Sequence, residues 1–268
     1  MSLTADEIID RRQLRRKVSF WRIVAFVLLG LCLIAAVIFG ARDALFSAAR
    51  QDHIAKIKIS GVITNDEAML ELLDQVGEND RIKSVILNIS SPGGSTVGGE
   101  ATYEAVRRLA EKKPVVTTVG TLAASAGYMV AAATDHVVAH RSSIVGSIGV
   151  LFQYADASKL LDNIGVKVEA VKSSPLKAEP NPFSPASPEA VAMIDRLIQD
   201  TYNWFVDLVA ERRGMDKSNV LSLADGSVFS GNQALKNGLI DAIGGQDIAL
   251  QWLQEEKGID ESLLFYKI

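Results

Sequence analysis

The sequence predicts an α/β domain built on a parallel β-sheet, and three observations support this fold class. Short apolar runs that are typical of buried strands alternate with amphipathic stretches of helical spacing. Strand and helix follow one another in regular order from residue 56 onward, which is the order that builds a parallel sheet covered by helices. A composition of 48% hydrophobic and 22% charged residues excludes a largely disordered chain.

The individual elements follow from periodicity and from the residues at their ends. The predicted strands are 56–59, 84–89, 115–119, 144–152, 166–171 and an edge strand at 264–266. The predicted helices are 66–76, 97–113, a small-residue helix from 125, 157–163 and 188–213. Residues 172–188 hold most of the prolines of the chain and are predicted to be irregular. The helix that follows has Pro188 in its first turn and Gly214 just past its end, which marks both termini.

An apolar segment precedes the folded part. Residues 23–41 carry no charged side chain, and a helix of that length reaches roughly 28 Å, close to the hydrocarbon thickness of a bilayer. Arginine and lysine are concentrated in residues 11–22. We therefore predict a basic cytoplasmic tail at 1–22, a transmembrane helix at 23–41, a connector at 42–53 and a translocated domain at 54–268. A cleaved signal peptide fits less well because Arg42 and Asp43 directly follow the apolar run.

Charge and cysteine usage exclude several classes of protein. The net charge of −4 does not indicate a nucleic-acid-binding protein. The single cysteine, Cys32, lies inside the apolar segment, so the folded part has no thiol nucleophile and no thiolate zinc site. No cofactor and no metal site are predicted.

Two segments could carry chemistry because each lies where a strand ends and a helix begins. Gly93 and Gly94 follow the strand 84–89 and could direct amide N–H groups into an oxyanion hole, although most such turns are only turns. Ser125 is surrounded by alanine and glycine at the start of a helix. Its hydroxyl is a candidate nucleophile, and a plain N-cap serine is the alternative.

A serine nucleophile needs a base, and the histidines are poorly placed for this role. His53 is predicted at the surface beside the connector, while His136 and His140 lie on a strand that we expect to emerge away from Ser125. Lysine is the known alternative. A lysine accepts a proton only when burial favours its neutral form. Of the downstream candidates, Lys159 and Lys167 have the spacing of exposed residues, Lys172 is left open, and Lys177 stands between apolar residues in a proline-rich loop.

These residues together resemble bacterial signal peptide peptidase A in its short form. The resemblance covers residues 50–268 and includes Gly93-Gly94, residues 123–128 around Ser125, residues 146–150, Lys177 and residues 229–241. It implies one N-terminal membrane helix followed by a domain with a fold of the ClpP and crotonase group. It also implies a location in the bacterial inner membrane, with the catalytic domain on the extracytoplasmic side.

The resemblance further implies a role for each site residue. Ser125 would be the nucleophile, Lys177 the general base, Ser147 the hydroxyl that positions the lysine, and Gly94 with Gly93 the oxyanion hole. The enzyme would be an ATP-independent endopeptidase that cleaves remnant signal peptides and other extended apolar peptides. Its partners would be those peptides, the bilayer and further copies of the chain, and in some family members nucleophile and base come from neighbouring protomers.

Two alternatives remain open at this point. A membrane protease of the stomatin-operon type shares the fold and the serine motif but has its lysine nearer the serine, which would make Lys167 the base. A crotonase-like acyl-CoA binder or a non-catalytic scaffold would use the same glycine turn without a nucleophile.

Overall fold

The computed structural model describes residues 52–267, together with residue 22 and the ranges 27–31 and 33–34. The predicted membrane helix at 23–41 therefore lies largely outside the described residues. Within the described part, no helix combines the length and the apolar character needed to cross a bilayer. The chain divides into a unit of residues 1–52 and a compact unit of residues 53–268, and the second unit is the subject below.

Eight strands among the described residues form one mixed sheet. They are β1 (His53–Ile63), β2 (Ile82–Gly94), β3 (Val115–Ala124), β4 (His136–Ala139), β5 (Ile144–Gly146), β6 (Val228–Ser230), β7 (Ala242–Ile243) and β8 (Leu264–Lys267). The order is β6-β5-β3-β2-β1-β8, while β4 pairs with the first half of β3 and β7 pairs with β4. Every pairing is parallel except that of β5 with β6, so the predicted parallel sheet is correct apart from one edge.

Helices cover the sheet and follow the predicted order. They are α1 (Glu67–Glu78), α2 (Thr96–Lys112), α3 (Ala126–Ala132), α4 (Ser158–Asn163), α5 (Pro188–Arg213), α6 (Lys217–Leu223), α7 (Gly231–Lys236) and α8 (Gln246–Lys257). The termini predicted for α5 are confirmed. Ser187 caps it through the Ala190 amide, and Gly214 ends it in the left-handed conformation.

The centre of the core is the short helix α3, in which all seven residues are buried. Its small side chains let it lie close to β2 and β3, whose middle residues are buried as well. Two arginines close its C-terminal end. Arg212 Nε donates to the Ala132 carbonyl at 3.1 Å, and Arg107 Nη1 donates to the Ala133 carbonyl at 2.7 Å. Cations at this end complement the partial negative charge of the last carbonyls.

Two predicted strands are wrong in the same part of the chain. The strand predicted at 144–152 ends at Gly146, and residues 166–171 form no strand. Most of the apolar residues beyond Val150 in these two segments are exposed instead: Leu151 is 80% exposed and Val171 has no burial at all, whereas Ile148 is buried. A strand forms only where a neighbouring strand supplies a ladder of hydrogen bonds, and no strand of the described chain pairs with residues 147–152 or 166–171.

His53 is also placed differently from the prediction. It is buried at the start of β1 rather than exposed, and its ring meets that of Tyr266 edge to face at 4.9 Å. The parallel pairing of β1 with β8 brings the two residues together across the sheet edge. A histidine beside the connector could not be assigned to this position without knowing that the chain returns there.

His136 belongs to a polar cluster that joins β4 to the C-terminal end of α5 and to the middle of α8. Its ring stacks on Trp252 at 4.7 Å, and its Nδ1 lies 3.9 Å from Asp241. Asp241 accepts from the Val137 amide and from both terminal nitrogens of Arg213. Burial lowers the pKa of His136 despite the nearby carboxylate. Burial would raise the pKa of Asp241, but Arg213 outweighs it and lowers that pKa.

The protein should therefore become less stable as the pH falls from about 6.5 toward the lowered pKa of His136. Because its pKa is lower in the folded state, the unfolded chain binds more protons between that pKa and the ordinary value of about 6.5, and the free energy of unfolding decreases as the pH falls through this range. His136→Phe keeps a ring against Trp252 and should lose less stability than the wild type between pH 7.5 and 5.5 in thermal unfolding. Equal losses in both proteins would contradict the assignment.

Candidate active site

Two serines stand next to each other where strands β3 and β5 end. The strands pair through Ala124 and Gly146, and the Ser125 amide donates to the Gly146 carbonyl at 2.9 Å. Ser125 and Ser147 then leave their strands with φ angles of 52° and 53°, in the left-handed region. Residues other than glycine rarely adopt this backbone conformation. Where they do, they are often found at functional sites.

Ser125 precedes α3 but does not cap it with its hydroxyl. The amides of Tyr128 and Met129 donate to the Ser125 carbonyl, at 2.9 and 3.0 Å, and the side chain makes no capping bond. The alternative of a plain N-cap serine is therefore wrong. The hydroxyl is left for other chemistry in a partly exposed position.

The turn at Gly93 and Gly94 lies directly against Ser125. Gly93 has a φ of 125°, and a Cβ placed on it would lie 3.0 Å from Ser125 Cβ and 3.4 Å from Ser125 Oγ. Gly94 pairs with Ile63 of β1, where a Cβ on Gly94 would overlap the Ile63 backbone. Both positions therefore require glycine. The structure brings the predicted glycine turn and the predicted nucleophile together.

Both serines and the glycine turn line one open cleft of about 720 Å³. The cleft also has apolar lining residues: Met129 from α3 and Ile198, Tyr202 and Phe205 from α5, which we call the apolar wall. Sequence reasoning did not find these wall residues. The helical spacing of α5 shows that it has an apolar face, but it does not show which part of that face borders a cavity rather than the core.

Ser147 is held in the cleft by the loop before β6. Its amide donates to the Ser227 carbonyl at 2.7 Å, and the Ser227 amide donates to Asp225 Oδ1 at 2.9 Å. Hydrogen bonds from the side chain and the backbone of Ser227 lower the pKa of Asp225. Of the residues that line the cleft, Asp225 alone has a charged side chain.

The lysine predicted as the base does not lie in this cleft. Lys177 is exposed in the irregular loop, where its amide donates to the Ser174 carbonyl. The expected burial between apolar neighbours is therefore wrong for a single chain, because Leu176 and Ala178 are exposed too.

The other candidate bases are also outside the cleft. Lys159 and Lys167 are exposed, as their spacing predicted, and Lys172 forms an ion pair with Glu179. Neither His136 nor His140 lines the cleft in the described part of the chain.

Comparison with known proteins shows where this architecture belongs. The family model described as "Peptidase family S49" matches residues 107–260, and the model described as "Clp protease" matches residues 47–154. A protein of Synechocystis assigned as a protease is 34% identical over 80% of the chain and 78% of its own length. One of Enterococcus faecium assigned as signal peptide peptidase SppA is 33% identical over 84% of the chain and 70% of its own length.

Some relatives are considerably longer than this chain. It spans 60% of a related protease of Methanocaldococcus jannaschii, at 39% identity over 69% of the chain, and 33% of Protease 4 of Haemophilus influenzae. The ClpP-like fold expected from the resemblance is confirmed for the mixed-sheet domain. The chain therefore belongs to peptidase family S49, the serine proteases of the signal peptide peptidase A type, as its motifs predicted.

Proposed function

We propose that this chain is an ATP-independent serine endopeptidase in which Ser125 is the nucleophile and Lys177 the general base. The observation that carries the proposal is the position of Ser125. Its hydroxyl does not cap the helix, its backbone is held in a strained conformation, and the glycine turn approaches it so closely that a side chain at Gly93 would crowd Ser125. A nucleophile beside preorganised amides is the arrangement that acyl transfer requires.

In the proposed reaction, neutral Lys177 removes the proton from Ser125 Oγ as the oxygen attacks the scissile carbonyl. The carbonyl oxygen becomes an oxyanion, and the Gly94 amide is assigned to stabilise it. The Gly93 amide is less suited because it already donates to Ser91 Oγ at 3.1 Å. The protonated lysine gives its proton to the leaving amine, and it then activates the water that hydrolyses the acyl-enzyme.

The base is proposed to come from a neighbouring copy of the chain. Lys177 is exposed, and it belongs to a segment, residues 150–187, whose large apolar side chains are also exposed. These include Leu151, Phe152, Leu160, Ile164, Val171 and Phe183. So much unpartnered apolar surface indicates a contact with another molecule. Covering this segment in a homo-oligomer would bring Lys177 to another protomer's cleft and bury it, which favours the neutral amine.

The proposed substrates are remnant signal peptides and other extended apolar peptides. The wall of Met129, Ile198, Tyr202 and Phe205 suits apolar side chains on either side of the scissile bond. The apolar residues 23–41 would tether the enzyme to the inner membrane with its catalytic domain outside the cytoplasm. A tethered enzyme meets peptides left in the same bilayer at a raised effective concentration.

Two other functions remain as alternatives. A stomatin-operon-type protease would use Lys167, which is as exposed as Lys177 in the single chain. A crotonase-like acyl-CoA binder or a non-catalytic scaffold would need no serine nucleophile, and the uncapped, strained Ser125 argues against it.

Single substitutions distinguish these possibilities. Ser125→Ala and Lys177→Ala should each lower peptide cleavage by at least about 10³-fold, because each removes one member of the proposed pair of nucleophile and base. Lys167→Ala is the matched control and should retain wild-type activity. Cleavage of a fluorogenic apolar peptide by the full-length protein is the measurement, with labelling of Ser125 by a fluorophosphonate as a second readout. If Lys167→Ala lost activity and Lys177→Ala retained it, the result would favour the stomatin-operon type.

Mixing inactive variants tests where the lysine comes from. Ser125→Ala and Lys177→Ala subunits, dissociated and reassembled together, should recover a substantial part of the activity if a site takes Ser125 from one protomer and Lys177 from the next. The reason is that one protomer's intact lysine then meets the other's intact serine. Reassembly of each variant alone controls for contamination. Failure of the mixture, with mixed oligomers present by mass spectrometry, would place both residues in one chain.

A further inference from the structure

Ser91 is a buried polar residue close to both the Gly93–Gly94 turn and the start of α3. It is fully buried near the end of β2, directly before Pro92 and the glycine turn. Its hydroxyl accepts from the Gly93 amide at 3.1 Å and donates to the Gly93 carbonyl at 3.2 Å. Both bonds of this hydroxyl therefore go to one residue, which is the residue in contact with Ser125.

The bond to the Gly93 carbonyl controls the orientation of the next amide. The carbonyl of Gly93 and the N–H of Gly94 belong to the same planar peptide unit, so they turn together. Two consecutive glycines impose little steric restriction on the rotation of that unit. On its β1 side the turn is held by the Ser95 amide, which donates to the Ile63 carbonyl at 2.9 Å. The hydrogen bond from the Ser91 hydroxyl to the Gly93 carbonyl is a second restraint on the turn.

Ser91 also touches the helix that begins after the nucleophile. A Cβ placed on Gly127 would lie 2.9 Å from the Ser91 carbonyl oxygen, 3.1 Å from its Cβ and 3.4 Å from its Oγ. Ser91 pairs with Ala123 in the strand before Ser125 as well. One buried residue thus hydrogen-bonds to the turn through its side chain, pairs with β3 through its backbone and lies close to α3, so its position links the Gly94 amide to the Ser125 hydroxyl.

We propose that Ser91 is a positioning residue that holds the Gly93–Gly94 peptide plane so that the Gly94 amide is directed at the developing oxyanion. This role rests on the proposed function. Ser91 touches neither the substrate nor the reacting atoms, and it acts on the transition state only through the amide that it orients. Its loss should therefore affect turnover more than substrate binding.

The test uses the full-length enzyme with Ser91→Ala. Removing an oxyanion donor outright costs 10²–10³ in kcat, so loosening one should lower kcat by about tenfold and leave KM within about twofold. A peptide aldehyde gives the second readout. Ser125 Oγ adds to its carbonyl carbon, the serine proton passes to the base, and the aldehyde oxygen becomes the oxyanion. Its Ki should rise by the same factor as kcat falls, while the Ki of the corresponding peptide alcohol stays within about twofold.

Ser84→Ala is the matched control. Ser84 is a buried serine in the same strand, and its hydroxyl has no hydrogen-bond partner in the described part of the chain. Its loss should leave kcat and both Ki values at the wild-type level. Ser91→Cys keeps the shape of the side chain, with a slightly larger atom, but weakens the hydrogen bonds, so it should move kcat in the same direction if Ser91→Ala does not fold.

The outcomes separate the two proposals. Wild-type kcat and aldehyde Ki in a folded Ser91 variant would overturn the positioning role. An equal rise of the aldehyde and alcohol Ki values would overturn it too, because that result indicates a general deformation of the cleft. A wild-type enzyme that neither cleaves peptides nor binds the aldehyde would overturn the proposed function, and the role of Ser91 with it.

Discussion

The pairing of β3 with β5 is the constraint on which the site depends. Their parallel ladder ends at Ala124 and Gly146, and the hydrogen bond from the Ser125 amide to the Gly146 carbonyl continues it by one step. At the next residue of each strand, Ser125 and Ser147, the backbone φ angle is in the left-handed region. Because β2 runs parallel to β3, its glycine turn emerges at the same edge. Three separate segments therefore meet at the carboxyl ends of strands, where open α/β sheets generally bind ligands.

Small residues allow these segments to approach closely. A Cβ on Gly99 of α2 would come within 3.0 Å of Ala126 Cβ, and one on Gly127 would come within 3.1 Å of Ser91 Cβ. The helix behind Ser125 is therefore packed from several sides, and Arg107 and Arg212 hold its far end. A strained serine persists only where its surroundings are this well determined, since its conformation costs of order 1–3 kcal/mol.

In the single chain the proposed nucleophile, Ser125, is closely packed by neighbouring residues, whereas the proposed base, Lys177, is exposed. The Ser125 side of the cleft is closed by glycine and alanine, whereas the segment of residues 150–187 has almost no core of its own. An assembly of several copies would resolve both features at once, because the contact that covers Leu151 and Val171 would also shield a lysine from water. Activity and association would then depend on the same surface.

The sequence by itself determined the fold class, most of the strands, both ends of α5 and the place of Ser125 at a strand-to-helix junction. These features depend on local periodicity and on terminal residues such as Pro188 and Gly214, which a single segment carries. Only the tertiary structure decided that Ser125 leaves α3 uncapped, that Ser91 bonds to Gly93, and that α5 supplies a wall of the cleft. The strands predicted after Gly146 are absent, and Lys177 is not buried in the single chain, for one physical reason. An apolar pattern predicts that a surface is buried. It does not identify the distant segment or second molecule that buries it.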